Sequence, residues 1–287
     1  NWSCMLYERQ KKKFLCFFDG DDGSGATPAD CKLVWSRFQN LINHYNVQDY
    51  AIFKIQHANE PQHKEFYPFK TDVYPLGLMT NDPDKIFKIS DLMHPVEKDV
   101  DVLFVGGKVH DHNYPYCWSK DKNTNQHWPT NRKRGYAKLK EIQERRKDLN
   151  IVTVDGLLPP DQYYPLVNRS KICIDFPGIG LSSRKFYEYM VLGKCVLAYP
   201  QNNSPWPLVS GKHYWSLQWD YEYDLLESRI NFLLSEPELR KSIERDAASL
   251  RHLMSHEAVI EYVENTFDEF VGNCLDGTIE HKRTKYR

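Results

Sequence analysis

The grouping in this chain best suited to chemistry is a glycine turn that opens a helix, with an arginine and a glutamate one helical turn apart behind it. It lies within residues 171–200, KICIDFPGIGLSSRKFYEYMVLGKCVLAYP, which reads as strand, turn, helix, strand. The turn runs Pro177-Gly178-Ile179-Gly180; Ser182 and Ser183 follow, and Arg184 and Glu188 open the helix. Backbone N–H groups at a helix start, together with the positive end of the helix dipole, suit an anion such as a diphosphate. Side chains four residues apart project from the same helix face, so Arg184 and Glu188 could grip a phosphate and a sugar hydroxyl together. The plain alternative is a surface ion pair, although arginine before glutamate is the less stabilising order. The turn is not the dinucleotide fingerprint, since Ser183 holds the third glycine position, and it is not a Walker A loop, since no Gly-Lys-Ser follows.

A second grouping, FFDGDDGSG, places Asp19, Asp21 and Asp22 in a glycine-rich turn after an apolar run. A carboxylate there could act as general base on an acceptor hydroxyl. An Asp-x-Asp pair could hold a divalent metal on a diphosphate. Asp19 could instead be a phosphatase nucleophile with Asp21 as the acid. A solvated turn is the chemically silent reading. Lys54, His57 and Asp72 lie in the polar stretch that follows the next strand and are further candidates for the same cleft.

The elements that must position these groups alternate between strand and helix, which predicts parallel sheets. Residues 14–18 form a continuous apolar run and so a buried strand. Residues 30–45 carry Leu33, Val34, Phe38, Leu41 and Ile42 at helical spacing. Strands are expected at 50–55, 100–105, 151–154, 171–175 and 195–199, and helices at 131–147, 161–167, 224–234 and 238–270. Residues 82–98, with Pro83 and Pro95, read as a linker between a first domain, 1–95, and a second, 96–250. Residues 251–287 carry the end of the long helix back to the first domain.

With 287 residues the chain is long enough for two modest cores, and a formal charge of −1 with no strongly basic half argues against nucleic acid as a partner. Aromatic residues make up 14%, a level that serves a core and would also serve a carbohydrate-facing surface. The seven cysteines are odd in number and lack a C-x-x-C pair, which predicts reduced thiols and a cytoplasmic location. Lys194 interrupts the longest apolar run, so no membrane span or signal peptide is expected in this sequence.

The second half resembles the donor half of GT-B glycosyltransferases, chiefly the exostosin-like and group-1-like enzymes. These share a small-residue turn, an arginine, three residues, a glutamate, an apolar stretch and a glycine before a strand. Here that is DFPGIGLSSRKFYEYMVLGKCVLAYP, with VDGLLPPDQYYPLVNRSKI and DVDVLFVGG fitting upstream. The first half carries little of the resemblance. The short chain is similar to the compact glycosyltransferases of large algal viruses (chloroviruses), xylosyltransferases among them. The resemblance implies two Rossmann-like domains facing a cleft, an acceptor domain before a donor domain, and a C-terminal helix returning to the first. It implies a nucleotide sugar, UDP-linked, as donor and a glycan as acceptor. Glu188 would hold the ribose hydroxyls. Arg184, Gly178, Gly180, Ser182 and Ser183 would meet the diphosphate, with Gly107 and Arg132 beside them. Asp21, then Asp19 and Asp22, would supply the base of an inverting reaction without an essential metal, and Lys54, His57 and Asp72 would line the acceptor side. A monomer or weak dimer is expected, in the host cytoplasm if the chain is viral. Two rivals are a haloacid-dehalogenase-like phosphatase built on Asp19 and Asp21, which lacks its later lysine and acidic pair here, and a non-catalytic glycan-binding module.

Overall fold

The computed structural model describes residues 2–19, 28–54, 73–75, 83–107, 128–176, 183–201, 204–206, 208–218 and 223–276. They form an α/β fold with two sheets. The first contains β1 (Trp2–Arg9), β2 (Lys12–Asp19), β3 (Asp49–Lys54) and β4 (Val73–Pro75) in that order. The second contains β5 (Val100–Val105), β6 (Ile151–Val154), β7 (Ser170–Asp175), β8 (Val196–Ala198) and β9 (Trp215–Ser216), in the order β6-β5-β7-β8-β9. Every pairing is parallel except β1 with β2. That exception is a hairpin closed by Gln10 and Lys11, both in the left-handed region at φ 52° and 61°. A two-residue turn with this twist needs two such residues. Neither is the glycine or asparagine that usually marks it, which hides β1 from a reading of the sequence.

The apolar run in β2 is buried on both faces because each face has its own helix. Leu15 and Phe17 pack with Phe38 and Ile42 of α1 (Pro28–Tyr45), where Phe17 stacks on Phe38 at 4.2 Å between ring centres. Phe14 and Cys16, one residue out of phase, pack with Phe267, Phe270 and Val271 of α8 (His256–Leu275). The period-2 alternation of side chains divides one hydrophobic run between two cores. The C-terminal helix thus returns to the first sheet.

The second sheet is sandwiched in the same way. Leu103, Val105, Cys173, Val196 and Ala198 face one core, shared with Phe186 and Met190. Val102, Phe104, Ile172, Ile174 and Leu197 face the other, with Leu139 and Ile142. The helices of this half are α3 (Trp128–Arg145), α4 (Pro160–Asn168), α5 (Arg184–Val191), α6 (Leu226–Ser235) and α7 (Pro237–Ser249).

Two expectations need correction. The stretch 82–98 is not all linker: α2 occupies Pro83–Leu92 and buries Ile86. Proline at a helix start costs nothing, because the N–H it lacks would have had no partner. The single helix expected over 238–270 is broken. After α7 comes a 3-10 turn, Arg251–Met254, and Ser255 then caps α8, its Oγ accepting from the Ala258 N–H at 3.1 Å. The break redirects the chain: α7 buries Ile243 and Ala247 on the second sheet, and α8, whose first turns still lend Val259 to that sheet's core, carries Phe267 and Phe270 to the first.

Candidate functional site

The carboxyl ends of β5 and β7 lie side by side in the second sheet. In open parallel sheets this edge is where ligands bind, and its last carbonyls lack strand partners. Here two cations take those carbonyls. Lys185, in the first turn of α5, donates from Nζ to the Val105 carbonyl and lies over the Phe104 ring, 5.7 Å from its centre. Arg132, in the second turn of α3, donates from Nε and Nη2 to the Phe176 carbonyl at 3.2 and 3.1 Å.

Two glycines permit these approaches. A Cβ on Gly106 would lie 2.6 Å from Lys185 Nζ, so the lysine reaches Val105 across a space only glycine leaves open. Gly135, one turn after Arg132, would place a Cβ 2.8 Å from both the Phe176 and Tyr223 rings. Its bare Cα lets α3 settle close enough for Arg132 to reach the strand end.

Asp175 closes β7 beneath both cations and is 3% exposed. Its Oδ1 accepts from Ser183 Oγ at 2.6 Å, while Oδ2 is buried with no hydrogen-bond partner among the described residues. Burial raises the Asp175 pKa; the nearby Lys185 charge, the Ser183 hydrogen bond and the Arg132 charge oppose that rise. Burial likewise lowers Lys185 to about 8, with Arg132 adding to the fall and Asp175 and Glu188 resisting it. Burial also acts against the Arg132 charge, and Asp175 supports it. Because Ser183 turns its hydroxyl to Asp175, it gives α5 no side-chain cap. A helix start without that cap keeps N–H groups and a positive dipole end for an anion.

Glu188 is half-buried one turn beyond Lys185 and Arg184. Tyr164 Oη donates to its Oε1 at 2.9 Å, and Tyr163 Oη to its Oε2 at 3.3 Å. Two consecutive tyrosines of α4 thus fix both carboxylate oxygens. Each oxygen has a further lone pair for a ligand. Burial raises the Glu188 pKa, against the pull of the two phenols and Lys185. Burial also pushes the Tyr163 phenol far up, keeping it a donor.

Among the residues singled out from sequence, the fold gathers Glu188, Ser183 and Arg132 around this strand edge. Arg184 is exposed at the start of α5, and Gly107 is exposed with open space where a Cβ would be. Gly178, Gly180 and Ser182 lie outside the described residues, as do Asp21, Asp22, His57 and Asp72. Asp19 and Lys54 end β2 and β3 as register partners, with their side chains outside the described set. Sequence reasoning missed Lys185, Asp175, Tyr163 and Tyr164. Signals for two of them were present: Asp175 precedes the glycine turn as Asp19 precedes its own, and Lys185 adjoins Arg184. The tyrosine pair carried no comparable mark, because aromatic residues on a short helix usually serve a core. Among the described residues, no group of three or more His, Cys, Asp or Glu side chains is placed to hold a metal ion, and no helix is long and apolar enough to cross a membrane.

No protein-family model matches the sequence, and a search of curated proteins finds no match. Among solved structures, the chain is similar to sucrose-phosphate synthase from Thermosynechococcus elongatus at 13% identity and a TM-score of 0.43, covering 78% of this chain and 59% of that one. It is similar to Anabaena HepE in complex with UDP-glucose at 12% identity and a TM-score of 0.46, covering 88% and 72%. A third, WaaG, a glycosyltransferase involved in lipopolysaccharide biosynthesis, is 11% identical with a TM-score of 0.43, covering 78% and 64%. The chain therefore spans less than two thirds of the length of the synthase and of WaaG, and at these scores the functional reading rests on the chain's own side chains.

Proposed function

We propose that the chain is a compact GT-B glycosyltransferase that moves a sugar from a nucleotide sugar, UDP-linked, to a glycan hydroxyl. The observation that carries this reading is the strand edge of the second sheet, where a tyrosine-clamped carboxylate stands one helical turn from Lys185 on α5, with Arg132 of α3 at the end of β7. Glu188 has the two oxygens a vicinal diol needs, and the phenols hold them in place before a ligand arrives. The cations and the uncapped start of α5 supply fixed positive charge where a diphosphate would leave. That charge gains strength as the glycosidic bond breaks, because negative charge then grows on the leaving group.

In this reading residues 96–250 form the donor domain, 1–95 the acceptor domain, and 251–287 pack back on the latter. Asp21, with Asp19 and Asp22 beside it, takes the proton from the acceptor hydroxyl as that oxygen attacks the anomeric carbon. The displacement is single and inverting, and no metal is essential to it. Lys54, His57 and Asp72 contact the acceptor. Xylose is the sugar suggested by the resemblance to the algal-virus enzymes, and a monomer or weak dimer working in the cytoplasm is the accompanying expectation.

Thermal unfolding with increasing UDP-glucose, UDP-xylose or a GDP-sugar tests the donor site directly. A ligand at 100 times its Kd raises stability by about 2.7 kcal/mol. A rise with a UDP-sugar that disappears in Glu188→Ala supports the assignment. No rise with any nucleotide sugar overturns it.

A further inference from the structure

We propose that His213 is an acid-sensitive latch: while its ring is neutral it closes the segment between β8 and β9 against α5, and once protonated it lets that segment loosen. The inference goes beyond the nucleotide-sugar reading and does not depend on it.

Among the described histidines, His44, His94, His252 and His256 are exposed, whereas His213 is 5% exposed. Ring and main chain tie it twice to Val209. The Val209 N–H donates to Nδ1 at 3.0 Å, and the His213 N–H donates to the Val209 carbonyl at 2.9 Å. Gly211, left-handed at φ 83°, lets the chain double back between them, and its N–H donates to the Tyr214 carbonyl at 2.8 Å. The turn so closed presents Tyr214, the next residue, to the core of the second sheet. Tyr214 Oη accepts from the Gln201 N–H at 3.0 Å, and its ring meets Phe186 of α5 edge-on at 5.6 Å between centres. Trp206, from the same segment, meets Tyr187 of α5 at 6.5 Å. The helix that carries Glu188 thus rests on a segment whose closure uses one imidazole nitrogen as an acceptor.

A main-chain N–H can bond Nδ1 only while that nitrogen carries no proton. An imidazolium bears N–H on both nitrogens, so protonation sets two donors against each other and breaks the Val209 bond. An amide side chain would accept the same bond at every pH; histidine makes it conditional. The charged groups facing the ring are Lys212 in the turn, which opposes the imidazolium, and Asp246 on α7, which favours it. Burial and then Lys212 lower the His213 pKa, against Asp246. A folded-state pKa below the unfolded value gives stability that is present above the ordinary imidazole value of about 6.5 and lost as pH falls through the folded one.

NMR reads the latch directly. In the wild type the His213 ring should titrate at lower pH than the four exposed histidines, and the Val209 amide resonance should move with the same midpoint. His213→Asn keeps an acceptor that does not titrate. At pH 5 the wild-type Val209 amide should exchange about 2- to 10-fold faster than in that variant, the worth of one hydrogen bond, and at pH 7.5 the two should match. Deuterium uptake over residues 184–192 should follow the same pattern, with α5 less protected in the wild type than in His213→Asn at pH 5 only. A His213 ring that titrates together with the exposed histidines overturns the inference, as does equal protection of α5 in the two proteins at pH 5. Should His213→Asn fail to fold, the wild-type titration decides: a Val209 resonance that ignores the midpoint of the ring overturns the latch.

Discussion

The two sheets solve the same packing problem and differ in how their carboxyl edges are finished. Each contains an apolar strand that ends in aspartate before a glycine-containing turn: β2 with Asp19 and Gly20, β7 with Asp175 and Gly178. In the second sheet that aspartate is sealed beneath two cations, from α3 and α5, and a serine. In the first sheet α8, which covers one face, arrives from the far end of the chain, and the sequence puts Asp21 and Asp22 in the segment after β2 and His57 and Asp72 in the segment after β3. The difference suggests a division of labour. A donor diphosphate needs fixed, dehydrated charge, which a sealed edge provides. A proton acceptor needs a carboxylate open to an incoming hydroxyl.

Breaking the acceptor side should give the largest effect. Asp21→Asn is expected to lower transfer by about 100- to 10,000-fold, the usual worth of a general base, while UDP-sugar still raises the melting temperature. If donor binding is lost instead, the proposed division between the sheets fails. On the donor side, Glu188→Ala should weaken UDP-sugar binding by about 100-fold or more, through two lost charge-assisted hydrogen bonds. Tyr164→Phe keeps the carboxylate but frees one oxygen, so about a tenfold loss is expected, measured by the same titration. An equal loss in both variants would mean that Tyr164, not Glu188, meets the ligand.

The remaining tests sharpen the comparison through stability. Gly135→Ala should destabilise the second half by about 1–3 kcal/mol, because the added methyl overlaps the Phe176 and Tyr223 rings. The denaturant midpoint reads this, and an unchanged midpoint would show that α3 can back away freely. In thiol labelling at pH 8, exposed Cys4 should react in the folded protein, whereas buried Cys16, Cys173 and Cys195 should wait for unfolding. Burial raises each of those three to about 12, so the reactive thiolate is scarce in both cores. Release of Cys16 before Cys173 would show the first sheet opening independently.

The smallest effect is expected in acid. Asp99 is held below its usual range by Arg169, Asp148 by Arg146, and Glu227 by Arg145 and Arg146. A depressed carboxylate pKa gives stability that is present above the unfolded value and lost as pH falls through the folded one. These pairs are solvent-screened, so removing one partner, as in Asp148→Asn, should flatten the acid limb of the stability curve only slightly.

Much of the fold was legible in residue order. The apolar runs of β2, β5 and β7 show themselves openly, and with them the α/β class. What stayed hidden was decided at a distance. The hairpin at Gln10 and Lys11 uses left-handed residues of ordinary type, and the break before α8 exists because two helix faces serve different cores. Local preference cannot register either, since both are settled by which surface each segment buries.

The candidate site follows the same rule. The chain by itself determined that a carboxylate would stand four residues after a basic side chain at a helix start, because helical spacing is a local property. Only the tertiary structure decided that Lys185 rather than Arg184 would turn toward the strand edge, that Asp175 would lie under it, and that Tyr163 and Tyr164 would clamp Glu188 from another helix. The first of these depends on Gly106 having no side chain where the end of β5 meets α5, a steric fact that exists only once the sheet and helices are packed.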